Sequence, residues 1–138
     1  MIKILVGGVF DILHFGHISF LNKAKGLGDY LVVALESDKN VIIIKGSSRP
    51  IHNQRQRYEM LMSLKFVDEV IILPEMKSDK DYERIVKEVS PQIIALTEGD
   101  AILEKKKNQA KMVGAKLVVI PQIKVSSTSQ IAKLIGLE

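Results

Sequence analysis

Along the chain, short runs of branched apolar residues alternate with longer stretches whose apolar positions recur every three or four residues. Ile2–Val6 is an apolar run broken only by Lys3, and the pair Gly7-Gly8 stops it. Over His17–Leu27 the positions Ile18, Leu21 and Ala24 share one helical face, joined by Phe20 and Leu27, and Gly28 closes the pattern. Tyr30–Leu35 reads as a second buried strand, Asn53–Leu64 as a helix and Glu69–Leu73 as a third strand. Ser78 and Asp81 have capping-box spacing and open a helix to about Val89. Ile93–Leu96 and Lys116–Ile120 read as the fourth and fifth strands, on either side of a lysine-rich helix over Ala101–Val113. Ser126 or Ser127 caps a last helix running toward Leu134.

Strands this apolar, alternating with helices, predict a five-stranded parallel sheet with helices on both faces, an α/β architecture of Rossmann-like type. No repeat, low-complexity tract or linker interrupts the pattern, so residues 1–138 read as a single domain. Such sheets bind ligands at the carboxyl ends of their strands, near the point where strand order reverses. Functional residues are therefore expected just after Val6, Leu35, Leu96 and Ile120.

Composition narrows the picture only slightly. With no cysteine, the chain can have neither a disulfide framework nor a thiolate metal site, and its three histidines suggest no zinc cluster. The apolar N-terminal run is too short for a signal peptide, and no stretch approaches a membrane span, so a cytoplasmic location without membrane contact is expected. The net charge of +4 suits an anionic ligand, from a nucleoside triphosphate to a nucleic acid, but suits a solvated lysine-rich surface equally well.

The chemistry sits immediately after the first strand, in Gly7-Gly8-Val9-Phe10-Asp11-Ile12-Leu13-His14-Phe15-Gly16-His17. Gly7 and Gly8 are expected to let the backbone turn sharply and approach a phosphate. His14 and His17, three apart at a helix start, can both project from one side of the first turn. Gly16 leaves room for a nucleotide against the helix end, whose dipole favours a triphosphate. Asp11 either forms the turn or N-cap, or orients a histidine or a metal.

This run matches the pattern G-x-F-D-x-x-H-x-G-H and resembles the HIGH-motif nucleotidyltransferases. Six specified positions recur by chance roughly once in tens of millions of starts. The resemblance implies that a phosphate oxygen of a phosphorylated small molecule attacks the α-phosphorus of a nucleoside triphosphate and that pyrophosphate leaves. Positioning and charge neutralisation lower such a barrier, without a covalent protein nucleophile. It implies catalytic roles for His14 and His17 and nucleotide contacts at Gly8, Val9, Phe10, Asp11 and Gly16. Mg2+ is expected to arrive on the triphosphate, held mostly by phosphate oxygens and water, with no protein ligand readable for it.

The resemblance extends along nearly the whole chain. Ala24–Asp29 resembles the family's A-K-x-L-G-D, which makes Lys25 either a substrate contact or a helix-end cation. Asp38 stands at a family position close to the substrate, a turn aspartate being the alternative. Lys45-Gly46-Ser47-Ser48-Arg49-Pro50 with Gln56-Arg57 resembles the K-G-x-x-R-P and Q-R of the adenylyltransferase part of bifunctional heptose-phosphate synthases. Lys45 and Arg57 are accordingly expected to hold phosphates, whereas His52 and Arg55 match no family position and read as surface. Thr97-Glu98-Gly99-Asp100 occupies the place of K-G-G-D, matching at Gly99 and Asp100 only. Asp100 either meets the ribose or base edge or caps the next helix. Val125–Ile131 resembles [IC]-S-[ST]-T-x-[IL], which implies that Ser126, Ser127 and Thr128 bind the β and γ phosphates at a helix start.

Substrate identity is read from the same resemblance. Heptose 1-phosphate adenylyltransferases fit the S-R-P segment and the overall spacing, which favours ATP over CTP and a sugar phosphate over FMN. Glycerol-3-phosphate cytidylyltransferases share the first motif but carry a tryptophan absent here. Archaeal FAD synthases share FDILH-x-GH and the length but typically carry cysteines near the C-terminus. A non-catalytic nucleotide sensor would need fewer of these residues. A nucleic-acid module would need more chain and more aromatics than three tyrosines and four phenylalanines, so no nucleic-acid partner is expected. Small enzymes of this type are often homodimers, though no convincing patch is readable.

Overall fold

The structure, a computed structural model, describes residues 1–123 and 133–134. The elements run β1 (Lys3–Gly8), α1 (Phe15–Lys25), β2 (Tyr30–Leu35), α2 (Asp38–Lys45), α3 (Gln54–Met62), β3 (Glu69–Ile72), α4 (Asp79–Val89), β4 (Ile93–Thr97), α5 (Leu103–Val113) and β5 (Lys116–Ile120). The five strands form one parallel sheet in the order β3-β2-β1-β4-β5. From β1 the chain steps outward to β2 and β3, then returns to place β4 against the other side of β1. The reversal of order falls between β1 and β4.

Strand pleating explains why the strands read as continuous apolar runs. Ile4, Val6, Leu31, Val33 and Leu35 pack on one face with Leu21 and Ala24 of α1 and Leu61 of α3. Leu5, Val32, Ala34 and Ile94 pack on the other with Val86 of α4 and Ala110 of α5. Both faces are covered, so neither set of alternating positions can be polar. No helix among the described residues is long and apolar enough to cross a membrane.

Several local expectations are corrected. The sheet geometry continues through Gly7 and Gly8, which pair with Ala34 and Leu35; the chain turns afterwards, at Phe10 and Ile12, whose φ angles are 49° and 52°. Gly8 serves space rather than turning, because a Cβ there would stand 2.8 Å from the Phe10 ring. Helix α1 ends at Lys25 with Gly26 as its C-cap, ahead of Gly28. Gly28 is needed instead for close approach: a Cβ would stand 2.6 Å from Ile2 Cγ2 and 2.7 Å from Ile4 Cδ1. Helix α2 was not expected, because Val41–Ile44 is a β-branched run. It forms nonetheless, with the Ser37 side chain accepting from Asn40 N. The Ser78–Asp81 capping box does not form: Asp81 Oδ2 accepts from Lys77 N at 2.8 Å, and Ser78 makes no side-chain cap. The helix expected from Ser126 or Ser127 lies almost wholly outside the described residues.

Candidate active site

The carboxyl ends of the strands open into one cavity of about 810 Å³, straddling the reversal between β1 and β4. Its walls include Gly8, His14 and His17 from the first motif, Lys45 from α2, and Gly99 and Asp100 after β4.

The two histidines build the start of α1. His14 is the N-cap, and its Nδ1 accepts from Gly16 N at 3.0 Å. His17 closes the box in return, its Nδ1 accepting from His14 N at 3.3 Å. The rings stack with centroids 3.9 Å apart, and Phe10 packs against His17 in a T-shaped pair with centroids 5.4 Å apart. Because both Nδ1 atoms act as acceptors, the neutral tautomer puts the proton on each Nε2. Burial lowers the affinity of both rings for a second proton. For His17 the neighbouring His14 and Lys45 add to that burial and bring its pKa to about 4. The site thus offers two neutral N–H donors rather than imidazolium cations.

Behind this pair stands a buried polar brace. Asp11, 1% exposed, accepts from Arg49 Nε at 2.9 Å, Ile51 N at 2.7 Å and His52 N at 3.0 Å. Burial pushes its carboxyl upward, but the two backbone donors and Arg49 outweigh this and hold it below the usual carboxylate range. Asp11 therefore ties the first motif to the loop before α3, its carboxylate committed to the protein while the residue itself lines the cavity. Arg57 is fully buried, donating to His52 O at 3.0 Å, Val9 O at 2.8 Å and Asp38 Oδ1 at 2.7 Å. Arg57, expected to meet phosphate, instead fastens the Val9 carbonyl beneath the motif and does not line the cavity, because a fully desolvated guanidinium takes its partners from the protein. Asp38 pairs with it from a half-exposed position at the start of α2.

Of the two roles expected for Lys25, the structure shows the helix-end cation, in the last turn of α1. Its ammonium donates to Asp29 O and to the Asp68 carboxylate, away from the cavity. Lys45, at the end of α2, is exposed on the cavity rim and close enough to disfavour protonation of His17. Gly99 has a φ of 80°, and Asp100 Oδ1 accepts from Ile102 N at 2.9 Å, forming the turn that leads into α5. Val9 and Gly16 line the cavity beside the histidines. Ser126, Ser127 and Thr128 lie outside the described residues.

Arg49, the arginine of the K-G-x-x-R-P resemblance, has its side chain wholly buried in the cavity wall. Three further cavity residues, Glu36, Lys106 and Gln109, were not singled out from the sequence. Glu36 directly follows Leu35, where the sheet rule places ligand contacts. From the N-cap of α5 onward, Ile102, Lys106 and Gln109 have the i, i+4, i+7 spacing of one helix face, which was the signal available.

Among the described residues, no group of three His, Cys, Asp or Glu side chains could hold a metal ion. A divalent ion therefore finds no ready-made cage in this part of the chain.

A tight turn from the end of β1 into the start of α1, beside the strand-order reversal and with two neutral histidines lining the cavity, defines a nucleotidyltransferase of the α/β class. The chain belongs to the cytidylyltransferase-like family, whose sequence profile matches residues 5–133. It is 43% identical to the FAD synthase of Thermococcus sibiricus over 138 residues, covering 97% of this chain and 90% of that protein. Over 72 residues it is 53% identical to the bifunctional protein HldE of Campylobacter fetus, covering 52% of this chain and 16% of that protein. Among solved structures, the lipopolysaccharide core biosynthesis protein of Thermoplasma volcanium superposes with a TM-score of 0.74 at 33% identity, over 90% of this chain and 99% of that one.

Proposed function

We propose that this chain transfers an adenylyl group from ATP to the phosphate of a small organic phosphate. An oxygen of the acceptor phosphate attacks the α-phosphorus, forming a new P–O–P bridge. The bond from the α-phosphorus to the oxygen bridging it to the β-phosphorus breaks, and pyrophosphate leaves with that oxygen and its electron pair. The observation that carries this reading is the stacked histidine pair. With both Nδ1 atoms held by backbone N–H groups, each Nε2–H is left to donate to the phosphoryl oxygens where charge builds. Lys45 adds a mobile cation at the rim, and the α1 N-terminus adds its dipole. Ser126, Ser127 and Thr128 are proposed to receive the β and γ phosphates. Mg2+ is proposed to enter on the triphosphate oxygens, and no step above runs through it.

Two acceptors have specific support. The K-G-x-x-R-P resemblance and the 72-residue likeness to HldE favour a sugar phosphate such as heptose 1-phosphate. The nearly whole-length likeness to a FAD synthase favours FMN, since FAD is the phosphoanhydride of FMN and AMP. The test is pyrophosphate release with magnesium, crossing ATP and CTP against heptose 1-phosphate, FMN and glycerol 3-phosphate. Release with ATP and one of the first two acceptors is expected. Tight nucleotide binding with silence in every combination would overturn the reading in favour of a nucleotide sensor.

A further inference from the structure

The cavity has a second polar wall, built from residues the histidine chemistry does not use. Tyr82 of α4 donates its hydroxyl to Glu36, at 3.1 Å to Oε1 and 2.9 Å to Oε2. This holds the carboxylate at the end of β2 with lone pairs to spare. Lys106 of α5 interacts electrostatically with both Glu36 and Asp100, and its ammonium reaches within 3.7 Å of where a Cβ on Gly7 would stand. Three residues on, the side chain of Gln109 is 6% exposed and lines the same cavity. Its Oε1 is buried and has no hydrogen-bond partner. A buried acceptor without a donor is costly unless something supplies one.

We infer that Glu36, Lys106 and Gln109 form the acceptor subsite, recognising an organic phosphate that carries several hydroxyl groups. This rests on the transfer reading for the identity of the second substrate. Two acceptors, the Glu36 carboxylate and Gln109 Oε1, call for O–H donors, and a chain or ring of hydroxyls supplies them at successive carbons. Lys106 supplies the donor for an oxygen of the same molecule. Burial raises the pKa of Glu36 despite Tyr82 and Lys106, and lowers that of Lys106 despite Asp100 and Glu36, so both are charges short of solvation. Hydroxyl partners restore that solvation. Sugar phosphates and the ribityl phosphate of FMN share this chemistry. Glu36 follows β2, and Lys106 and Gln109 belong to α5, which covers the sheet face opposite α1, so none of the three shares the helix that carries the histidines.

The experiment is calorimetric titration of heptose 1-phosphate, FMN, glycerol 3-phosphate and orthophosphate into the chain, free and saturated with a non-hydrolysable ATP analogue. At least one hydroxylated ester is expected to bind tenfold or more tighter than orthophosphate, which also tells sugar phosphate from FMN. Glu36→Gln keeps the Tyr82 contact, and Gln109→Met keeps the side-chain length; each is expected to weaken that ester roughly tenfold, with the analogue unaffected. The two changes sit on different elements, and a thermal melt of each shows which remains folded. Ester binding no tighter than orthophosphate, or unchanged in a folded variant, would overturn the subsite. Ester binding that both variants weaken, without any pyrophosphate release by the wild-type chain, would sustain the subsite and sink the transfer reading instead.

Discussion

His14 and His17 each do two jobs with two nitrogens. The Nδ1 atoms finish the backbone at the start of α1, which leaves the Nε2–H groups of two cavity-lining rings to donate elsewhere. His17→Asn separates these jobs, since Asn Oδ1 can still accept from His14 N while the distal donor is gone. We expect turnover to fall by about 10²–10³, with the melting temperature little changed; a parallel collapse of both would mean that His17 is only a cap. The titration of His17 makes a second prediction. Its folded pKa of about 4 lies below the ordinary 6.5, so the unfolded chain binds the extra proton more readily. The stability this represents is complete above about pH 6.5 and is lost as pH falls toward 4. Melting temperature should decline through that window, and less steeply in His17→Asn. Arg57 belongs to the same level of detail. Arg57→Met leaves the Val9 and His52 carbonyls without their donor and should cost on the order of 1–3 kcal/mol in denaturant unfolding.

The strands are legible in the sequence because a sheet covered on both faces demands unbroken apolar runs, and Tyr30–Leu35 could be little else. Helix α2 is not legible for a related reason. Ile42, Ile43 and Ile44 are exposed and β-branched, so neither amphipathic periodicity nor propensity marks a helix. The first motif is legible as chemistry but misleading as geometry. Its glycines suggest a turn, yet Phe10 and Ile12 take the left-handed conformations, each costing about 1–3 kcal/mol. The Asp11 brace to Arg49, Ile51 and His52 holds that strain in place. Residues 38–41 positions away in sequence supply it, and no local pattern announces such a partner. Arg57 was misread for the same reason: a signature arginine suggests phosphate, and only its burial reveals that it holds the loop. Close approach makes a further prediction at the α1–β2 junction. Gly28→Ala should cost about 1–3 kcal/mol in denaturant unfolding, because Ile2 and Ile4 must move.

In the molecule as a whole, the path of the chain decides where chemistry can occur. Because β4 returns to the far side of β1, the first motif, the end of β2 and the turn before α5 converge on one cavity. The same cavity holds the neutral histidines at a helix N-terminus, proposed to meet the triphosphate, and Glu36, Lys106 and Gln109, proposed to meet the hydroxyls of the acceptor. A reaction joining two phosphates needs both partners in one cavity. The central claim, that the bond broken lies between the α- and β-phosphates, is tested most directly by where a label goes. ATP labelled at the α-phosphorus should pass its label to the acceptor, while γ-labelled ATP should release all of its label as pyrophosphate. Label from the γ position appearing on the acceptor, or as orthophosphate at the rate of turnover, would contradict the account.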